Sequence, residues 1–261
     1  MPQYSRKNTN LKSKNLSHKI GLSKRPFSMV CDYRGDGIGT KNKALDFLED
    51  PRFITAWEKT ANRIYAVTGT KLPDIRWRAH IALWAASCGL HHEGDFVECG
   101  VYTGIYSSVI CDYLDFAKQD RSFWLFDTWE GIPTQDLPKG EESLADNYNK
   151  TYKNQDIYNA IKQNFAEYPN CHLVRGFLPG SLNDAKLEKI SYLSIDLNNA
   201  TYEQACIEAL WPKIVSGGIV VIDDYNFTVC KIQRDMWNEF AREKGVMIVA
   251  LPTGQGLLIK P

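Results

Sequence analysis

The chain has 261 residues, 44% hydrophobic and 24% charged, which suits one large or two small globular domains and excludes disorder over most of the length. No run approaches the roughly 20 apolar residues of a membrane helix, so no membrane partner is expected. Lys and Arg balance Asp and Glu at 31 each, and zero net charge argues against nucleic acid as a partner.

The balance is uneven along the chain. Residues 1–31 hold Arg6, Lys7, Lys12, Lys14, Lys19, Lys24 and Arg25 and no acid, giving +7 against −7 for the remainder. Without an apolar run of signal-peptide length, this segment reads as a basic, disordered tail, although its composition overlaps with that of transit peptides. The 7 cysteines are widely spaced and include no C-x-x-C pair, which fits reduced thiols in the cytoplasm better than a zinc site or a disulfide framework.

Residues 32–92 predict an N-terminal helical cap. Gly35, Gly37 and Gly39 follow no strand and read as a loop, not a phosphate cradle. Thr40 opens a helix through Phe47 and Leu48. Asp50-Pro51 is a cap with proline at the first helical position, and 51–66 continues with Phe53, Ile54, Trp57, Ile64 and Tyr65 at helical spacing. Asp74 opens another helix through Ile75, Trp77, Ile81, Trp84 and Cys88, which Gly89 stops. Helices this rich in Trp and Phe point towards a homodimer.

At residue 95 the period changes, and 93–261 reads as one α/β domain. Apolar strands are predicted at 95–101, 122–127, 171–176, 190–196 and 218–223, with helices at about 105–118, 155–167, 202–214 and 228–244. Two more strands, 246–251 and 256–260, are joined by a tight Pro-Thr-Gly-Gln turn and must be antiparallel. Alternating strands and helices imply a mostly parallel, Rossmann-like, seven-stranded sheet covered on both faces, with an antiparallel final strand. The polar stretch 130–154 is long for a βα connection. It reads as a lid whose Tyr148 and Tyr152 stack on a substrate, or equally as a disordered insert. His80 and His172 read as packed side chains, and His91-His92 as an exposed turn.

Ligands of open α/β sheets bind beyond the carboxyl ends of the strands. Those ends carry Glu98, Asp127-Thr128, Arg175-Gly176, Asp196 and Asp223-Asp224. The first two acids suit a nucleoside. Asp127 can accept both ribose hydroxyls, and Gly100 and Gly104 allow close approach to the backbone. Ser107 and Ser108, in the first turn of the next helix, can hold a carboxylate. Glu98 can meet an ammonium. Ribose, carboxylate and ammonium together describe S-adenosylmethionine (SAM), with Thr128 and Gly176 bordering the same pocket. The competing reading is that Glu98 and Asp127 only cap turns. The other three acids suit a cation. Asp223 and Asp224 are adjacent at a strand exit and Asp196 ends the neighbouring strand, a set of hard oxygen donors suited to Mg²⁺, Mn²⁺ or Ca²⁺. Solvated loop caps are the alternative.

FVECGVYTG, LFDTWEGIP, VRGFLPGSL, YLSIDLNNATYE and GGIVVIDDY occur in that order. Together they resemble the Mg²⁺-dependent sugar O-methyltransferases of the macrocin, mycinamicin and novobiocin pathways over about residues 70–261, and the ending LPTGQGLLIKP is similar too. Five β-α units ending in a hairpin is also the order of such methyltransferase sheets. The resemblance implies SAM bound by the acids at Glu98 and Asp127. It implies Mg²⁺ held by Asp196, Asp223 and Asp224, with Asp196 also the catalytic base, and a sugar-containing small molecule as acceptor. One departure stands out: Asp196 is followed by Leu197-Asn198-Asn199 in place of the Leu-Tyr of macrocin-type enzymes. Three rivals remain. A catechol-type O-methyltransferase would bring an Asn ligand and a Lys base. An NAD-dependent dehydrogenase would need glycine where Tyr102 stands. A non-catalytic SAM-binding scaffold would have no need of the three acids.

Overall fold

The computed structural model describes residues 31–132, 134, 137, 141–152 and 156–261. The basic tail up to residue 30, part of the long polar stretch and the side chain of Tyr152 lie outside them. Residues Cys31–Pro261 form one compact unit.

The described residues begin with a hairpin where a loop is predicted. Strands β1 (Tyr33–Gly35) and β2 (Ile38–Thr40) pair antiparallel around Asp36 and Gly37. Both turn residues have positive φ, 52° and 73°. That is the backbone of a two-residue primed turn, for which Asp-Gly is a favoured pair. The helix predicted from Thr40 is only the short α1 (Asp46–Glu49). Helix α2 (Pro51–Thr68) starts as expected, with the Asp50 carboxylate accepting from Arg52 N and proline in its first turn, and ends at left-handed Gly69. Helix α3 (Arg76–Gly89) follows. On α2 and α3, Ile54, Tyr65 and Trp84 remain exposed.

Then come β3 (Asp95–Cys99), α4 (Ile105–Tyr113), β4 (Phe123–Asp127), α5 (Glu142–Tyr152), α6 (Ile157–Asn164), β5 (Cys171–Arg175), β6 (Ile190–Ile195), α7 (Ala200–Leu210), β7 (Ile214–Ile222), α8 (Lys231–Lys244), β8 (Val249–Ala250) and β9 (Gly256–Ile259). Helix α5 lies inside the stretch read as lid or insert. The seven-stranded sheet runs β5-β4-β3-β6-β7-β9-β8, parallel from β5 to β7, with β9 antiparallel to β7 and β8 antiparallel to β9. This is the expected methyltransferase architecture.

Strand order reverses between β3 and β6, so the crevice for a ligand opens at their carboxyl ends. Side chains alternate between two cores. Phe96, Phe123, Leu125, Tyr192, Ile219 and Val221 face the layer of α2, α3, α4 and α6. Val97, Phe126, Leu193, Ile195, Val220 and Ile222 face α7 and α8, together with Trp237 and Phe240. Continuing the first alternation past the strand ends puts Glu98, Asp127, Asp196 and Asp223 on the α3–α4 side of the sheet.

Candidate functional site

At the reversal point the two central strand ends touch. Asp196 N donates to Cys99 O at 2.8 Å. Gly100 has φ +90°, and a Cβ there would lie 1.9 Å from Asp196 O. Glycine is required at this position, and it exposes backbone to the crevice. Two cavities meet along this seam. The first, about 260 Å³, has Gly100, Asp127, Thr128, Gly176 and Leu178 in its wall. The second, about 390 Å³, is faced by Asp36, Arg78, Glu98, Asp223, Asp224 and Phe227. Gly100, Tyr102, Tyr148, Asp196 and Asn198 belong to both.

The predicted donor-side residues divide in their behaviour. Asp127 spends its carboxylate on backbone: Oδ2 accepts from Val101 N at 2.8 Å and Tyr102 N at 2.7 Å, and Oδ1 from Trp129 N at 2.6 Å. Burial raises its pKa against the pull of those N–H groups. It therefore clamps the loop after β3, the turn-capping role held as the alternative for this acid in the sequence. Thr128 Oγ1 shapes its own turn, donating to Gly131 O at 2.7 Å. Gly176 packs tightly, since a Cβ would come within 2.9 Å of Ser181 Cβ. Ser107 and Ser108 are buried in the first turn of α4 and line neither cavity. Helix α4 starts at left-handed Gly104 with no side-chain cap, which leaves its positive end open to an anion.

Glu98 Oε2 and Ser107 Oγ make no hydrogen bond of ordinary geometry among the described residues, although the Ser107 hydroxyl and N–H lie near enough to pull on the Glu98 carboxylate. Glu98 lines the second cavity, where a ligand's donor would complete its pairing. Burial, reinforced by the fields of Asp223 and Asp127, pushes the Glu98 carboxyl up to about 8. Because this folded-state value lies above the ordinary 4.5, the protonated side chain favours folding at low pH and that contribution is lost as pH rises through about 8. Glu98→Gln should nearly match the wild type near pH 5 without ligand and melt well above it near pH 8.5, roughly 8–16 °C for about 4 kcal/mol of linkage. Melting curves across that range check this, and a constant difference between the two proteins would contradict it.

The acids on the other side share one space. Asp196 is half-buried, and desolvation with the charges of Asp223 and Asp224 pushes its carboxyl well up, while that of Asp224 is raised to about 7 by burial and by Asp223. Asp223 is held by three donors. Tyr106 Oη and Gln255 Nε2 reach its Oδ1 at 2.8 Å and 3.1 Å, and Arg78 Nη1 reaches Oδ2 at 3.0 Å. Asp196 Oδ1 accepts from Asn198 Nδ2 at 2.9 Å. Among the described residues, no group of three or more His, Cys, Asp or Glu side chains is gathered closely enough to hold a metal ion, so the predicted metal acids Asp196, Asp223 and Asp224 line one cavity without converging on a point. Behind Asp196, buried Glu203 accepts from Trp237 Nε1 at 2.7 Å and Gln233 Nε2 at 2.9 Å, tying α7 to α8. Arg78, Asp36, Tyr106, Gln255 and Glu203 were not singled out from sequence. His80 stacks on Phe47, with ring centroids 4.2 Å apart, and His172 lies beside Ser122 and Trp124, both in packing roles.

Among known proteins, the family profile described as macrocin-O-methyltransferase (TylF) matches residues 89–249. Mycinamicin III 3''-O-methyltransferase of Micromonospora griseorubida is 26% identical over 163 residues, 59% of this chain and 62% of the relative. Demethyldecarbamoylnovobiocin O-methyltransferase of Streptomyces niveus is 28% identical over 164 residues, 58% of this chain and 60% of the relative. The matched region thus spans about three-fifths of these curated relatives. Among solved structures, the O-methyltransferase NovP superposes with a TM-score of 0.63 at 20% identity, covering 83% of this chain and 97% of its own. A calicheamicin methyltransferase gives 0.58 at 16% identity, covering 77% and 91%.

Proposed function

The chain belongs to the macrocin-O-methyltransferase family, and from that premise we propose that it transfers a methyl group from SAM to a hydroxyl of a sugar or glycosylated small molecule, with Mg²⁺ assisting. The observation that carries this reading is the seam at Gly100 and Asp196, where a pocket of nucleoside size adjoins an acid-walled one. A methyl donor in the first and a polyol in the second would meet at Asp196.

The donor's binding groups match what the chain offers. Gly100 and the clamped loop after β3 form the floor, the open N-terminus of α4 suits a carboxylate, and Glu98 Oε2 suits an ammonium. Asp127 holds that loop and has lone pairs left for ribose hydroxyls. Asp196 and Asp224, whose proton affinity is raised by burial and by the charge of Asp223, are hard oxygen donors of the kind Mg²⁺ takes, although with Asp223 they do not stand close enough in this structure to form a metal-holding group. Asp196, Asp223 and Asp224 would hold it. When bound, the ion supplies positive charge that stabilises an oxyanion.

Asp196 stands in both cavity walls and is placed to take the acceptor's proton. Asn198 Nδ2 orients its Oδ1. Tyr106 and Gln255 hold Asp223 from behind. The backbone contact between Gly100 and Asp196 keeps base and donor pocket aligned, which in-line displacement requires. Cytoplasmic residence belongs to the same reading and is in keeping with seven free thiols.

Calorimetric titration with SAM and with NAD, followed by mass-spectrometric assay on a panel of glycosides and catechols with and without Mg²⁺, tests this. The expected result is micromolar SAM binding and Mg²⁺-dependent methylation of a glycoside. Binding of NAD instead of SAM, or methylation of catechols alone, would overturn it.

A further inference from the structure

Helix α5 ties together the two sides of the first cavity. On one side the turn after β4 puts Thr128, Gly131 and Ile132 in the wall. On the other, the exit of β6 and the first turn of α7 supply Asp196, Asn198 and Tyr202. Tyr148, from α5, belongs to the same wall. Near its carboxyl end α5 is clipped to the first side: Asn149 Oδ1 accepts from Ile132 N at 2.6 Å, and Nδ2 donates to Ile132 O at 2.9 Å. The approach is so close that a Cβ on Gly131, at φ +110°, would collide with Asn149 Oδ1. At the start of α5, Glu141 serves two helices. Its carbonyl accepts from Ala145 N at 2.9 Å. Its buried carboxylate accepts from Ala200 N at 3.2 Å and 3.3 Å, where the positive end of α7 favours an anion. Glu141 and Asn149 themselves line neither cavity.

We propose that α5 is a strap across the donor pocket, and that the contact of Glu141 with α7 is the fastening that opens to admit and release the donor. Glu141 and Asn149 are positioning residues, acting through Tyr148 and Ile132. The two fastenings are unequal, and that decides which one gives. Asn149 makes two short bonds to main chain, whereas both Glu141 oxygens share a single N–H at the long end of the normal range. Release at Glu141 leaves α5 hinged on the turn after β4 and takes Tyr148 out of the wall, with the strands beneath unchanged. This inference rests on the SAM reading above.

Stopped-flow displacement of SAM from the full-length chain reads the fastening directly. Glu141→Ala is expected to speed dissociation about tenfold, the scale of one lost charge-assisted hydrogen bond. Glu141→Gln, whose Oε1 can still accept from Ala200 N, should speed it by no more than about threefold. In the SAM-bound protein, amide hydrogen exchange should quicken across Glu142–Tyr152 in Glu141→Ala and stay slow in β3 and β6. Asn149→Ala, which frees the other end, should speed dissociation at least as much, and it decides the matter if Glu141→Ala does not fold. Dissociation at the wild-type rate in both alanine variants, even with a lower Tm, would make the two contacts merely structural and overturn the strap alone, as would glutamine at position 141 costing as much as alanine. A wild type that binds no SAM would overturn the donor reading and the strap with it.

Discussion

Asp196→Asn should lower kcat by about 10³-fold while leaving SAM affinity within about fivefold. The carboxylate stands where the two cavities join, and its replacement removes the proposed cation ligand and proton acceptor at once while sparing the contacts offered to a nucleoside. Asparagine is nearly isosteric and can still accept from Asn198 Nδ2, so the local backbone has no reason to move. Single-turnover rates measured beside calorimetric SAM titration separate the two effects. Raising Mg²⁺ distinguishes the roles: recovery of rate at high Mg²⁺ means that Asp196 serves chiefly as a ligand, whereas a rate that stays low marks it as the base. Unimpaired turnover in the variant would remove Asp196 from the chemistry.

Asp127→Asn should cost both stability and donor binding. Three backbone N–H groups converge on this carboxylate, from Val101, Tyr102 and Trp129. An amide in its place turns one end into a donor facing donors, leaving buried N–H groups unpaired, at about 2–4 kcal/mol. In a domain of this size that corresponds to a Tm lower by roughly 5–15 °C. The loop it releases is the floor of the first cavity, so SAM affinity should fall about 30-fold or more, since little of the binding surface stays preorganised. Thermal melts with and without SAM read both quantities. A normal Tm with lost SAM binding would mean that the acid acts on the ligand alone, contrary to the clamping role.

The parts of this architecture that were legible in the sequence are those whose signal is local. A change from helical to alternating periodicity marks the first sheet strand near residue 95, and an acid or glycine at each strand exit marks the rim on which ligands sit. Asp50-Pro51 announced α2 because capping chemistry is confined to neighbouring residues. What stayed hidden depends on the third dimension. The β1–β2 turn does carry an Asp-Gly pair, but its strands are three residues long and lack an alternating apolar pattern, so the glycines read as a loop. Arg78 meets Asp36 and Asp223 across separations of 42 and 145 residues, and no periodicity records that meeting. Asp127 was recognised as a rim acid, yet its three backbone partners follow from the left-handed turns at Tyr102 and Trp129, which the side-chain pattern does not encode. Ser107 and Ser108 were placed correctly on the helix that follows β3, but the twist of that helix turns them inward.

The contact between Gly100 and the Asp196 carbonyl has an implication for how this chain could diversify. With main chain pressed against main chain, no side-chain substitution nearby can widen the gap between the two pockets, and any larger residue at position 100 would push the strands apart. The distance that the proposed methyl transfer would span is therefore a property of the scaffold. A change of acceptor must be negotiated at the periphery, through the hairpin tip at Asp36 and the segment around Tyr148, both of which border the second cavity without belonging to the central strands.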